Sequence, residues 1–187
     1  MPAEYFSAGI RLCRRRRYIH CGLIRGMSSH RGESMLILEN VRVVLPERVI
    51  EAGSVVIESG LIASIDAVAG RAIREATVLD LSGAVLLPGF IDVHIHGAVG
   101  VDLMEAAPAG LQEVSHHLAA QGVTAWLPTL VPGSDENYAS AVRAISQSMQ
   151  SAGARVLGVH YEGPFVNSAQ CGALHTEYFK TYSGPKI

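Results

Sequence analysis

The chain has 187 residues, 49% of them hydrophobic and 17% charged, with a formal net charge of −2. That is enough apolar material for one domain, or for one domain and a small second one, and the charge is too balanced to imply a nucleic-acid or acidic-lipid partner for the whole chain. No apolar run approaches the roughly 18 residues of a membrane span, and the three scattered cysteines, Cys13, Cys21 and Cys171, form neither a disulfide framework nor a CxxC pair, which points to a reducing, cytoplasmic location.

Before Met35 stand seven of the fifteen basic residues (Arg11, Arg14, Arg15, Arg16, Arg17, Arg25 and Arg31) against two acids, Glu4 and Glu33. The stretch RLCRRRRYIHCGLIRGMSSHRGES has a period of neither 2 nor 3.6. Arg-rich, acid-poor segments resemble organelle presequences. A nucleic-acid arm would call for interleaved aromatics, which are missing. Because regular patterning starts abruptly at MLILENVRVVL, residues 1–34 read as a disordered or mis-assigned N-terminal extension.

Residues 35–87 are rich in Val, Ile and Leu and are broken by PE, AGS and ESG, the pattern of short strands and hairpins. Leu36 and Leu38, Val41 and Val43, and Val55 and Ile57 alternate, and Ile62 and Ile65 extend the theme. A further strand pair is expected around Ser82-Gly83. This is a small β-sandwich portion, too short to cover its own edges. It needs strands from elsewhere, and the sequence announces none.

From residue 88 to 187 the rhythm changes to strand and helix in alternation. FIDVHIHG is a strand. PAGLQEVSHHLAAQG is a helix with Pro108 in its first turn, a stripe of Leu111, Val114 and Leu118, and Gly122 past its end. VTAWLPTLV is the next strand. SDENYASAVRAISQSMQSAG is the next helix, with Ser134 as N-cap, Asp135 and Glu136 in the first turn, and Tyr138, Val142, Ile145 and Met149 as its buried stripe. ARVLGVHYEG is the third strand. This alternation means a parallel sheet with right-handed crossovers. No Gly-rich phosphate loop follows any of the strands, and GAVGVD lacks the GxGxxG spacing.

The chemistry lies at the strand ends. Residues i and i+2 of a strand share a face, so His94 and His96 point the same way where their strand gives way to GAVG. Two neutral imidazoles there can grip one divalent metal, at about 2.0–2.1 Å if it is zinc. His160 and Glu162 repeat the spacing at the end of the third strand. In a parallel sheet these ends form one rim, where ligands bind. Asp92 shares the parity of the two histidines and reads as a cap for nearby backbone or as an orienting group for a ligand. His160 reads as a supporting or core histidine rather than a ligand. His116 and His117 are expected to be solvated, and Trp126 and Phe165 to be core or pocket wall.

The segments LLPGFIDVHIHG, GVTAWLPTLV and above all LGVHYEGPFVN are similar to the amidohydrolase superfamily, in its N-acetylglucosamine-6-phosphate deacetylase branch. The similarity runs from about Met35 to the end. It implies the first three βα units of a (β/α)8 metal-dependent hydrolase barrel, preceded by part of a small β-sandwich. It implies Glu162 as a metal ligand from the third strand, and His94 and His96 as ligands of a second metal position that not every member fills. The divalent metal is zinc first, one or two per site. His175 is implied as a sugar contact, with Ala173 beside it; the family spaces Gly, one small residue and His, and here Gly172-Ala173-Leu174-His175 has one residue more. The implied reaction hydrolyses the acetamide of a phosphorylated amino sugar, with no nucleic-acid or membrane partner and with a homo-oligomer for the full-length protein. The general-base aspartate is expected beyond Ile187, so the chain reads as the N-terminal part of such an enzyme, inactive by itself. Two other readings stay open: another amidohydrolase branch acting on a cyclic amide or amino sugar, and a non-catalytic metal-binding fragment.

Overall fold

A computed structural model describes residues 10–13, 18–21, 35–66 and 76–184. The chain divides into two compact units, Met1–Ile91 with Leu118–Ala125, and Asp92–His117 with Trp126–Ile187.

The first unit is built on one sheet of β1 (Ile10–Cys13), β2 (Tyr18–Cys21), β3 (Met35–Val44), β4 (Val49–Glu58), β5 (Leu61–Asp66), β6 (Ala76–Asp80) and β7 (Val85–Pro88). β3 organises it. One edge of β3 pairs antiparallel with β4; the other is shared, with Met35–Glu39 alongside β6 and Arg42–Val43 alongside β7, both parallel. The changeover falls at Asn40, whose φ of 57° is a left-handed conformation that Asn tolerates through local hydrogen bonding. The Asn40 amide donates to Asp80 Oδ1 at 3.2 Å. The same oxygen accepts the Ser82 N–H at 3.0 Å and the Ser82 hydroxyl at 2.6 Å. Those donors, the Ser82 hydroxyl first, hold the Asp80 carboxyl below its ordinary value of 3.8. β4 and β5 are joined through Ser59 and Gly60, both with positive φ, as a tight two-residue hairpin requires.

The core of this unit is Leu36, Leu38, Val41, Val43, Val55, Ile57, Leu81 and Leu86. Six of these are the residues whose alternation marked the strands. Ile62 departs from the expected pattern: on β5 it is 49% exposed, because β5 is the last strand of the sheet order and flanks only β4. β1 and β2, which lie ahead of Met35, pair antiparallel with each other, and β2 pairs parallel with β7. The rest of residues 1–34 lies outside the described residues.

The α/β part runs β8 (Phe90–Ile95), a small hairpin of β9 (Gly97–Ala98) and β10 (Val101–Asp102), α1 (Pro108–Ala120), β11 (Val123–Leu130), α2 (Asp135–Ser148), β12 (Arg155–Val156) and β13 (His160–Tyr161). β11 is the central strand, pairing with β8, β12 and β13. It is buried on both sides, as a covered parallel strand should be. The predicted third strand is split into β12 and β13, but the ladder continues around the break: Leu157 N–H donates to Trp126 O at 3.0 Å and Glu162 N–H to Leu130 O at 2.9 Å. Three strand positions and two crossover helices of an unclosed (β/α)8 barrel are thus present, as expected. Single 3-10 turns at Ser168–Gln170 and Thr176–Tyr178 follow β13.

Both helices start as predicted. Pro108 opens α1, whose Leu111, Val114 and Leu118 are buried. Ser134 Oγ accepts the Asn137 N–H at 3.1 Å and caps α2. The buried face of α2 keeps Ile145 from the predicted stripe but adds Ala141 and Ser148, while Tyr138 and Val142 are half-buried and Met149 is exposed. Met149 is the C-cap, so the helix ends before its side chain can extend the stripe. Ser148 is tolerated on that face because its hydroxyl bonds back to Ala144 O at 2.8 Å. Trp126 is fully buried, its indole N–H shared between Ser115 Oγ and Ala154 O, both at 3.2 Å. Phe165, expected in a core or pocket wall, is exposed beside the Tyr182 ring.

Candidate metal centre

His94 lies in the last turn of the β8 pleat and His96 just past it, so strand parity sends both rings to one side. Glu162 follows β13 directly, its backbone held by the Leu130 carbonyl. The three side chains meet. His94 Nε2 and His96 Nε2 are 3.1 Å apart, and Glu162 Oε2 stands 3.4 Å from the first and 3.1 Å from the second. They form the one group of three potential ligand residues among the described residues. The imidazoles are half-exposed and the carboxylate somewhat less so.

This geometry fits a cation. Ligand atoms on tetrahedral zinc at about 2.0–2.1 Å stand about 3.3–3.4 Å from one another, close to the observed triangle. Glu162 Oε2 is shut off from solvent and has no hydrogen-bond partner, although two ring nitrogens lie within ion-pair distance. Three atoms that can each offer a lone pair to a cation thus gather around one centre, and a divalent ion there would satisfy all three.

The backbone around the triplet is pinned on each side. Asp92 Oδ1 accepts the His94 N–H at 3.1 Å, the capping role that its parity allowed. The His96 carbonyl accepts the Leu103 N–H at 3.0 Å as the β9–β10 hairpin folds back. Gly97 permits that fold: a Cβ there would lie 2.0 Å from the Val101 carbonyl oxygen. The glycine of EGPF is equally constrained, since Gly163 has φ 120° and a Cβ would meet the Pro132 ring at 2.7 Å. His160 packs its ring 5.0 Å from that of His94, tilted by 56°, and its Nδ1 is 3.1 Å from Thr129 Oγ1. It stands beside the triplet and outside it. His175 is exposed at the start of the second 3-10 turn, 3.4 Å from Glu177, and Ala173 is exposed in the loop before it; neither joins the triplet. Thr129 was not singled out by sequence reasoning, because its contacts reach 31 and 34 residues along the chain and leave no local signal.

No family model matches the chain. It is 36% identical over 126 residues to N-acetylgalactosamine-6-phosphate deacetylase of Escherichia coli O157:H7, covering 66% of this chain and 32% of the relative. It is 32% identical over 150 residues to N-acetylglucosamine-6-phosphate deacetylase of Bacillus subtilis (strain 168), covering 78% and 38%. The crystal structure of N-acetylglucosamine-6-phosphate deacetylase from Pasteurella multocida superposes with a TM-score of 0.69 at 27% identity, covering 80% of this chain and 39% of that one. The chain thus spans 32–39% of the length of these relatives. Over that span it matches the N-acetylglucosamine- and N-acetylgalactosamine-6-phosphate deacetylase family of the amidohydrolase superfamily.

Proposed function

We propose that this chain supplies the metal-gripping strands of a deacetylase that hydrolyses the acetamide of N-acetylglucosamine 6-phosphate to glucosamine 6-phosphate and acetate in the cytoplasm. The observation that carries the reading is the convergence of His94, His96 and Glu162 in a chain that matches such deacetylases. His94 Nε2, His96 Nε2 and Glu162 Oε2 hold one divalent ion, with zinc first. Bound there, the ion supplies Lewis acidity and lowers the pKa of a water. The residues of this chain fix the ligands: Asp92 holds the His94 backbone, and Gly97 lets the chain turn away behind His96. The proton transfers need a further general base. The triplet of metal-ligating side chains holds one carboxylate, Glu162. We propose that these 187 residues by themselves bind metal without turnover. His175 and Ala173 are proposed as sugar contacts, from resemblance.

The identity to a deacetylase named for the galacto epimer supports a second substrate reading. Acetate release by zinc-loaded protein purified from its native source tests both. The reading expects hydrolysis of N-acetylglucosamine 6-phosphate and not of the unphosphorylated sugar. Faster release from N-acetylgalactosamine 6-phosphate would move the assignment to the epimer. Activity confined to a cyclic amide would overturn both.

A further inference from the structure

Ile95 sits between the two histidines of the triplet. Its backbone N–H donates to the hydroxyl of Thr129 on β11, at 3.0 Å. A side chain of β11 thus ties the backbone of β8 between the two histidines. Thr129 is 1% exposed, and its Oγ1 has one other hydrogen-bond neighbour among the described residues, His160 Nδ1 at 3.1 Å.

A hydroxyl offers one hydrogen and two lone pairs. The Ile95 N–H takes one lone pair. If His160 carried its hydrogen on Nδ1, the Thr129 hydrogen would be buried without an acceptor, an arrangement that folded proteins avoid. The consistent assignment has Thr129 O–H donating to Nδ1 and the ring hydrogen of His160 on Nε2. A neutral ring so protonated has no lone pair at Nε2, so His160 stays off the metal although its ring lies 5.0 Å from that of His94.

We infer that Thr129 is a positioning residue of the metal centre, its one hydroxyl fixing the strand between His94 and His96 and holding His160 as an Nε2–H donor excluded from coordination. This rests on the reading of the triplet as a metal site.

The test is a cobalt(II) titration of the 187-residue chain, followed by visible absorption, in wild type, Thr129→Ser, Thr129→Val and Glu162→Ala. Thr129→Ser keeps the hydroxyl and is expected to bind within about threefold of wild type. Thr129→Val keeps the shape without the hydroxyl and is expected to bind about 10–100-fold more weakly, as loss of a group orienting a metal ligand does, with an altered cobalt spectrum. Equal affinity and spectrum for Thr129→Val and wild type would overturn the inference while leaving the metal reading intact. Wild-type binding that Glu162→Ala does not weaken would overturn the metal reading and this role with it. Long-range 1H–15N NMR of the wild-type imidazoles needs no variant, and so decides even if Thr129→Val fails to fold: a His160 ring with Nδ1 bare and a hydrogen on Nε2 is expected, and a hydrogen on Nδ1 would overturn the inference.

Discussion

β3 and β8 are strands of similar apolar content and opposite fate. On β3, Leu36, Leu38, Val41 and Val43 are all buried and form the centre of a core that the first unit builds from its own strands. On β8, Phe90, Ile91 and Val93 are 59%, 59% and 58% exposed. The difference follows from pairing. β3 has a partner along both edges, whereas β8 pairs only with β11 among the described residues. Hydrophobicity makes a segment strand-like; neighbours decide whether its side chains leave water. The second strand spends its polar positions on the candidate metal centre and contributes little to packing in these residues.

That contrast can be broken by substitution. The second unit does have a core elsewhere, so Trp126→Ala should be the costliest change, about 3–5 kcal/mol, read by urea denaturation. Leu38→Ala in β3 should cost about 2–5 kcal/mol through the cavity it leaves. Val93→Ala should stay within about 0.5 kcal/mol, as exposed substitutions do. A loss at Val93 matching that at Leu38 would erase the distinction between the strands. Ser134→Ala removes the α2 cap and should cost about 1 kcal/mol, visible as a lowered thermal midpoint; no change would mean that the cap is not formed in solution.

The smallest effect concerns Asp80, which ties the β3 changeover to the Ser82 turn. Its pKa is lowered in the folded state, chiefly by the Ser82 hydroxyl, so its stabilisation is present above the unfolded value of about 4 and is lost as pH falls through the folded value. The stability gap between wild type and Asp80→Ala should therefore be open at neutral pH and close in acid. A gap that is constant or widens in acid would remove that carboxylate from the account.

Much of this was legible in the sequence, for local reasons. The alternation of Leu36, Leu38, Val41 and Val43, the Leu111-Val114-Leu118 stripe and the Ser134 cap each depend on neighbours a few residues away. The meeting of His94, His96 and Glu162 was legible because two i, i+2 pairs at strand ends need only parity and a parallel sheet to converge. What was missed is non-local. β1 and β2 carry no alternation in the sequence, and β2 pairs with β7 more than sixty residues away. The break between β12 and β13 and the role of Thr129 arise from contacts across the sheet. On α2, helical spacing picked out Tyr138, Val142, Ile145 and Met149; Ile145 is buried, but Ala141 and Ser148 complete the packed face, and small residues give a weak hydrophobic signal.

The central claim is that His94, His96 and Glu162 together hold one divalent ion. Isothermal titration of the metal-free 187-residue chain with zinc tests it most directly, against Glu162→Ala and the His94→Ala, His96→Ala double variant. The account predicts saturable binding of about one equivalent, weakened at least tenfold by either variant, as loss of a coordinating side chain exceeds the 10–100-fold effect of losing a supporting one. Zinc binding of equal strength in wild type and both variants, or no saturable binding by the wild type, would contradict it.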